Sequence, residues 1–125
     1  MSQSRREKSR KDAEARRNLS EYRAMWLFAM FDLPVDTPAA RKRYTEFRRC
    51  LLKLGFNMLQ FSVYARYCGN EERSDALKKR IKSVLPSEGE VRLLAVTERQ
   101  FGKMDVFYGK KAVETEKPPD QLMLF

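Results

Sequence analysis

Histidine is absent from the 125 residues. Its absence removes the commonest general base, the commonest zinc ligand and every Ser-His or Cys-His nucleophile pair. Cysteine occurs only at Cys50 and Cys68, too few for a structural zinc cluster. No run approaches the roughly 18 apolar residues of a membrane span. The first residues, SQSRREKSRK, have no apolar centre, so they do not read as a secretory signal. A cytoplasmic protein with reduced thiols and no membrane partner is therefore expected. Acidic residues are also in deficit: 26 Lys or Arg stand against 17 Asp or Glu, a net charge of +9. Such an excess suits a polyanionic partner, either nucleic acid or an acidic membrane surface. Any hydrolytic chemistry has to rest on carboxylates, a metal, or Lys, Tyr and Ser.

What is present is organised around MWLFAMFDLP, Met25 to Pro34. Seven consecutive apolar residues suit a strand buried on both faces better than a helix. Pro34 has no N–H to give and ends the ladder. Asp32 is thus placed at the carboxyl edge of a central strand, where an ionised carboxylate needs a metal, a cation, a helix N-terminus or water. The plainer reading is a turn-forming Asp before Pro, hydrogen-bonded to backbone.

Thr37-Pro38 reads as a helix N-cap followed by Pro in the first helical position. Ala40, Tyr44, Phe47, Leu51 and Leu54 make one apolar stripe, and Gly55 is the stop. The other faces carry Arg41, Lys42, Arg43, Arg48, Arg49 and Lys53 against Glu46 alone. That imbalance favours phosphate contact over simple solvation. Asn57 to Cys68 reads as extended, long enough for two short strands joined by a bend that the sequence does not locate. Asn70 caps a second helix with Leu77, Ile81, Val84 and Leu85 as its stripe. Val91 to Thr97 is a further strand, Glu98 to Met104 a short helical turn, and Asp105 to Tyr108 a last strand.

This order predicts one α+β domain over residues 24–109, a ferredoxin-like βαββαβ sandwich with an extra C-terminal strand. Residues 1–23 are a basic arm, either a mobile segment or a solvated helix. Residues 110–125 are a flexible tail ending in QLMLF. Both helices fall on one sheet face, so the other, carrying Trp26 or Phe28, is left uncovered. An uncovered apolar face predicts a homodimer with two sheets face to face.

The set FDLP, then KLGF, MLQFSVYARYC, VRLLAVTERQF and VFYG, in this order over residues 24–109, resembles the small CRISPR-associated adaptation proteins. In that family the ferredoxin-like endonuclease subunit partners the CRISPR integrase. The resemblance implies a homodimer with a Mg²⁺ or Mn²⁺ site at the strand-end aspartate of each protomer, here Asp32. It maps the family's basic residues onto Arg41 or Arg43 and the serine of its QxSV motif onto Ser62, otherwise read as a plain sheet hydroxyl. It implies metal-dependent cleavage of RNA or duplex DNA for some members, and for others a scaffold that supports spacer DNA between integrase dimers. Many members carry Tyr before the aspartate, whereas Phe31 stands here. Arg48 and Arg49 are further candidates for phosphate contact. Gln121, Leu122, Leu124 and Phe125 form a docking peptide, aimed at the adaptation complex or, by likeness to QLxLF peptides, at the replicative sliding clamp. The alternative function is a stand-alone endoribonuclease of the virulence-associated toxin type. A non-catalytic RNA-binding ferredoxin-like domain ranks last, because its aromatic signature is missing.

Overall fold

A computed structural model describes residues 2–119, the side chains of 2, 3 and 17–21 excepted. Its elements are α1 (Ser2–Arg23), β1 (Met25–Asp32), α2 (Pro38–Lys53), β2 (Asn57–Gln60), β3 (Val63–Tyr67), α3 (Glu71–Lys82), β4 (Glu90–Thr97), α4 (Glu98–Gly102), β5 (Val106–Tyr108) and β6 (Lys111–Val113). Strands β2-β3-β1-β4 form one antiparallel sheet in that order, the ferredoxin-like arrangement that the element order predicts.

The helices start where short-range chemistry says they should. The Thr37 hydroxyl accepts from the Ala40 N–H at 3.0 Å, with Pro38 opening α2. The Asn70 side chain accepts from the Arg73 N–H at 2.8 Å, and Glu71 and Glu72 follow in the first turn of α3. Each cap satisfies a donor that would otherwise lack an intrahelical partner.

Packing divides the sheet by the parity of β1. Leu27, Ala29 and Phe31 turn toward the helices and join Phe47 and Leu51 of α2 with Leu77 and Ile81 of α3 in the main core. Phe31 meets Phe47 edge-on at 5.2 Å between ring centroids and Tyr64 at 5.5 Å. Val84 and Leu85, expected in the stripe of α3, lie beyond its end at Lys82 and are exposed. Cys68 lies in the same core; burial pushes its thiol above the ordinary range, against the opposing pull of the Arg66 guanidinium. Cys68 and Cys50 are both free thiols.

Trp26, Phe28 and Met30 turn to the opposite face. That face is less bare than the sequence suggests. Thr97 caps α4 through a capping box with Gln100, folding the short helix back so that Phe101 stacks on Trp26 at 3.9 Å and 4°. Trp26 is consequently only 4% exposed. The middle of the face stays open, with Leu94 51% exposed beside Phe28 in the ladder.

At the two ends of the described residues, the basic arm takes one of its two expected forms, and the stretch read as tail holds a strand that periodicity missed. The basic arm is a helix, α1, with Tyr22 under the Arg99 guanidinium at 5.2 Å. The last strand, β5, does not extend the main sheet; it pairs with β6 as a separate hairpin, and β6 lies within the stretch read as tail. Among the described residues no helix is long and apolar enough to cross a membrane.

Candidate functional site

Asp32 is the last residue of β1 and is exposed. By the alternation of a strand it shares the open face with Met30 and Phe28, away from the helices. The residue before it, Phe31, points into the main core. A tyrosine hydroxyl at that position would therefore enter the apolar layer on the far side of the sheet. The Phe found here takes no polar group away from the carboxylate.

The register brings a second acid alongside. Asp32 is paired with Glu90, the first residue of β4. Like charges directly opposite on a ladder repel, and Glu90 is partly relieved by an ion pair with Arg92, two residues along on the same face. The β2–β3 connection closes the other side. Residues Phe61 and Ser62 make the turn that the sequence could not locate, with Ser62 in the left-handed region at φ 64°. The Ser62 carbonyl accepts from the Phe31 N–H at 3.0 Å, tying the hairpin tip to the end of β1. Asp32, Ser62, Glu90 and Arg92, with Phe61 at the rim, line a shallow cavity of about 330 Å³. Asp32 and Ser62 are thus brought together. Ser62 is a turn residue, not a hydroxyl in the middle of a strand.

The arginines of α2 separate into two groups. Arg41 donates to the Val35 carbonyl at 3.1 Å, and Arg43 reaches Glu88 at 3.5 Å. Both are anchored to segments that flank the end of β1. Arg48 and Arg49 lie about 10 Å further along the helix at 1.5 Å per residue. Arg48 is half-buried and its Nε donates to the Tyr64 hydroxyl at 2.7 Å, so it joins α2 to the sheet. Arg49 is exposed. Gln121, Leu122, Leu124 and Phe125 lie outside the described residues.

Glu90 and Arg92 are the site residues that sequence reasoning missed. Their signal was E-x-R alternation at the start of β4, and it acquires meaning only once the register with β1 is known. No group of three or more Cys, Asp or Glu that could hold a metal exists among the described residues. Two adjacent exposed carboxylates nevertheless fit a hard divalent cation that keeps most of its water, since Mg²⁺ is usually held by one or two carboxylates together with substrate phosphate.

Known proteins resemble this chain over most of its length. Residues 25–104 match the family model described as CRISPR associated protein Cas2. A protein of Flavobacterium psychrophilum named CRISPR-associated endoribonuclease Cas2 is 48% identical over 107 residues, 86% of this chain and 93% of that protein. One of Parvibaculum lavamentivorans with the same name is 52% identical over 101 residues, 81% of this chain and 100% of that protein. A third, from Paracidovorax avenae, is 43% identical over 107 residues, 86% and 99% of the two chains.

Proposed function

The chain belongs to the CRISPR-associated Cas2 family, and on that premise we propose that it is an endonuclease subunit of CRISPR spacer acquisition, acting as a homodimer on nucleic acid. The single observation that carries the reading is the Asp32–Glu90 pair on the open face of the sheet. A carboxylate there faces outward across an apolar surface that a second copy would cover, so a twofold contact would bring two Asp32 side chains toward one another. The relatives are named endoribonucleases, which supports RNA as a substrate. The charge of +9 supports binding of a duplex as well.

Asp32, with Glu90 beside it, would hold Mg²⁺ or Mn²⁺. Such an ion supplies Lewis acidity and an activated water for phosphodiester hydrolysis. The chain's own residues do the rest. Arg41 and Arg43 neutralise phosphate at the end of β1, and an arginine does so by paired N–H bonds. Arg92 holds Glu90 in place. The hairpin tip at Ser62 walls one side of the cavity. In the same reading the dimer supports duplex spacer DNA for the integrase.

The test is direct. Purified chain should run at twice its mass by light scattering and cleave labelled RNA or duplex DNA in Mg²⁺, with EDTA stopping the reaction. A monomer at high concentration, or cleavage indifferent to EDTA, overturns the site. A stable complex with integrase and duplex but without cleavage would leave the scaffold as the function.

Duplex binding has its own readout. Each phosphate neutralised adds about one unit to the slope of log affinity against log salt. Replacing Arg41 and Arg49 by Gln should lower that slope by about two. An unchanged slope removes α2 from the contact surface.

A further inference from the structure

At the end of the sheet away from Asp32 lies a second cavity, about 600 Å³, walled by Trp26, Met58, Leu59 and Tyr67 and edged by Arg66 and Arg73. Its size is that of a ligand site. Trp26 also contributes a buried indole N–H that has no acceptor among the described residues. Buried donors are nearly always paired, so an acceptor is owed there. The chain itself arrives at the same place: Glu116, Lys117 and Pro119 sit on the cavity rim. The residues that follow are Asp120, Gln121, Leu122, Met123, Leu124 and Phe125. Six residues reach at most about 20 Å, enough to cross the cavity and run beside β2. Among the described residues that strand is at the sheet edge with its outer side unpaired, and Met58 on it is 49% exposed.

We propose that Gln121–Phe125 of the same chain occupies this cavity, with a carbonyl of that segment accepting the Trp26 indole N–H. The apolar side chains of the segment cover Met58, Leu59 and Tyr67. Asp120, just before it, meets the positive edge formed by Arg66 and Arg73. Neither the carboxylate pair nor cleavage is involved, but Trp26, Leu59 and Tyr67 lie on the sheet face that the proposed homodimer would cover, at the end away from Asp32.

Trp26 is the only tryptophan, so tryptophan fluorescence reports on the wall of this cavity and on no other tryptophan site. Two variants are compared with the full chain: one ending at Asp120, and the full-length Leu122→Asp, Leu124→Asp double substitution. In both, Trp26 emission should move to the red and acrylamide quenching should roughly double. Molecular mass and far-ultraviolet dichroism should stay unchanged. A synthetic peptide of residues 120–125 added in excess to the shortened chain should reverse the shift. Identical emission and quenching in all three proteins overturn the proposal. So does a shift that follows protein concentration or mass, because the occupant would then be a second copy.

Discussion

Asp32→Ala is expected to reduce Mg²⁺-dependent cleavage by on the order of 10²-fold or more, because it would remove the proposed ligand carboxylate at a site where even outer partners are worth 10–100-fold. Asp32 is exposed, so the fold should be indifferent to the change, within about 0.5 kcal/mol. The sign of the small residual is informative. Asp32 and Glu90 oppose one another in the ladder, and removing one of two facing like charges relieves repulsion of about a few tenths of a kcal/mol. In metal-free buffer the variant should therefore melt slightly higher than the parent, and Mg²⁺ should stabilise the parent more than the variant. Glu90→Gln should reduce cleavage less, since Arg92 already shares that carboxylate. Undiminished cleavage by Asp32→Ala would move the chemistry elsewhere in the chain.

Gly89→Ala is the substitution expected to cost most stability per atom added. Gly89 has φ +89°, and a Cβ there would lie 2.7 Å from the Asp32 carbonyl oxygen and 2.7 Å from Leu33 Cδ2. Backbone cannot move aside as a flexible side chain can. The left-handed conformation costs an alanine about 1–2 kcal/mol, and forcing an extra carbon into packed structure about 1–3 kcal/mol more. A total of about 2–5 kcal/mol is a large share of the 5–15 kcal/mol by which domains are usually stable. Gly109→Ala is the control. Its φ is +60° with nothing within 4 Å of the added carbon, so it should show the conformational cost alone. Urea melts of the two variants separate clash from strain. Equal midpoints would mean that the turn yields freely. Because the group struck is the carbonyl of Asp32 itself, folded Gly89→Ala should also cleave more slowly than Gly109→Ala. The turn that starts β4 thus holds the site as well as the fold.

The order of elements was legible because it is written in short-range patterns. Thr37-Pro38 and Asn70 satisfy helix donors three residues away. The spacing of Phe47, Leu51, Leu77 and Ile81 puts each on one helical face, and seven apolar residues in a row suit a strand covered on both faces better than a helix. The hairpin bend was not legible, because alternation runs unbroken through Phe61 and Ser62 and nothing local demands φ 64° at a serine. Arg48 reads like its exposed neighbours on α2; only the position of Tyr64 across the layer gives it a hydrogen bond. Phe101 could have faced anywhere until the capping box folded α4 back onto Trp26.

By itself the sequence determined the ferredoxin-like succession of strands and helices, the excess of positive charge, and the position of Asp32 at the end of the central strand. All three depend on residues within a few steps of one another or on simple sums. Tertiary structure decided which partners that aspartate has: Glu90 beside it, Arg92 beyond, and Ser62 across a shallow cavity. Such partners come from strands far apart in the chain. Their meeting depends on the register between β1 and β4, where a slip of one residue would send every side chain to the opposite face.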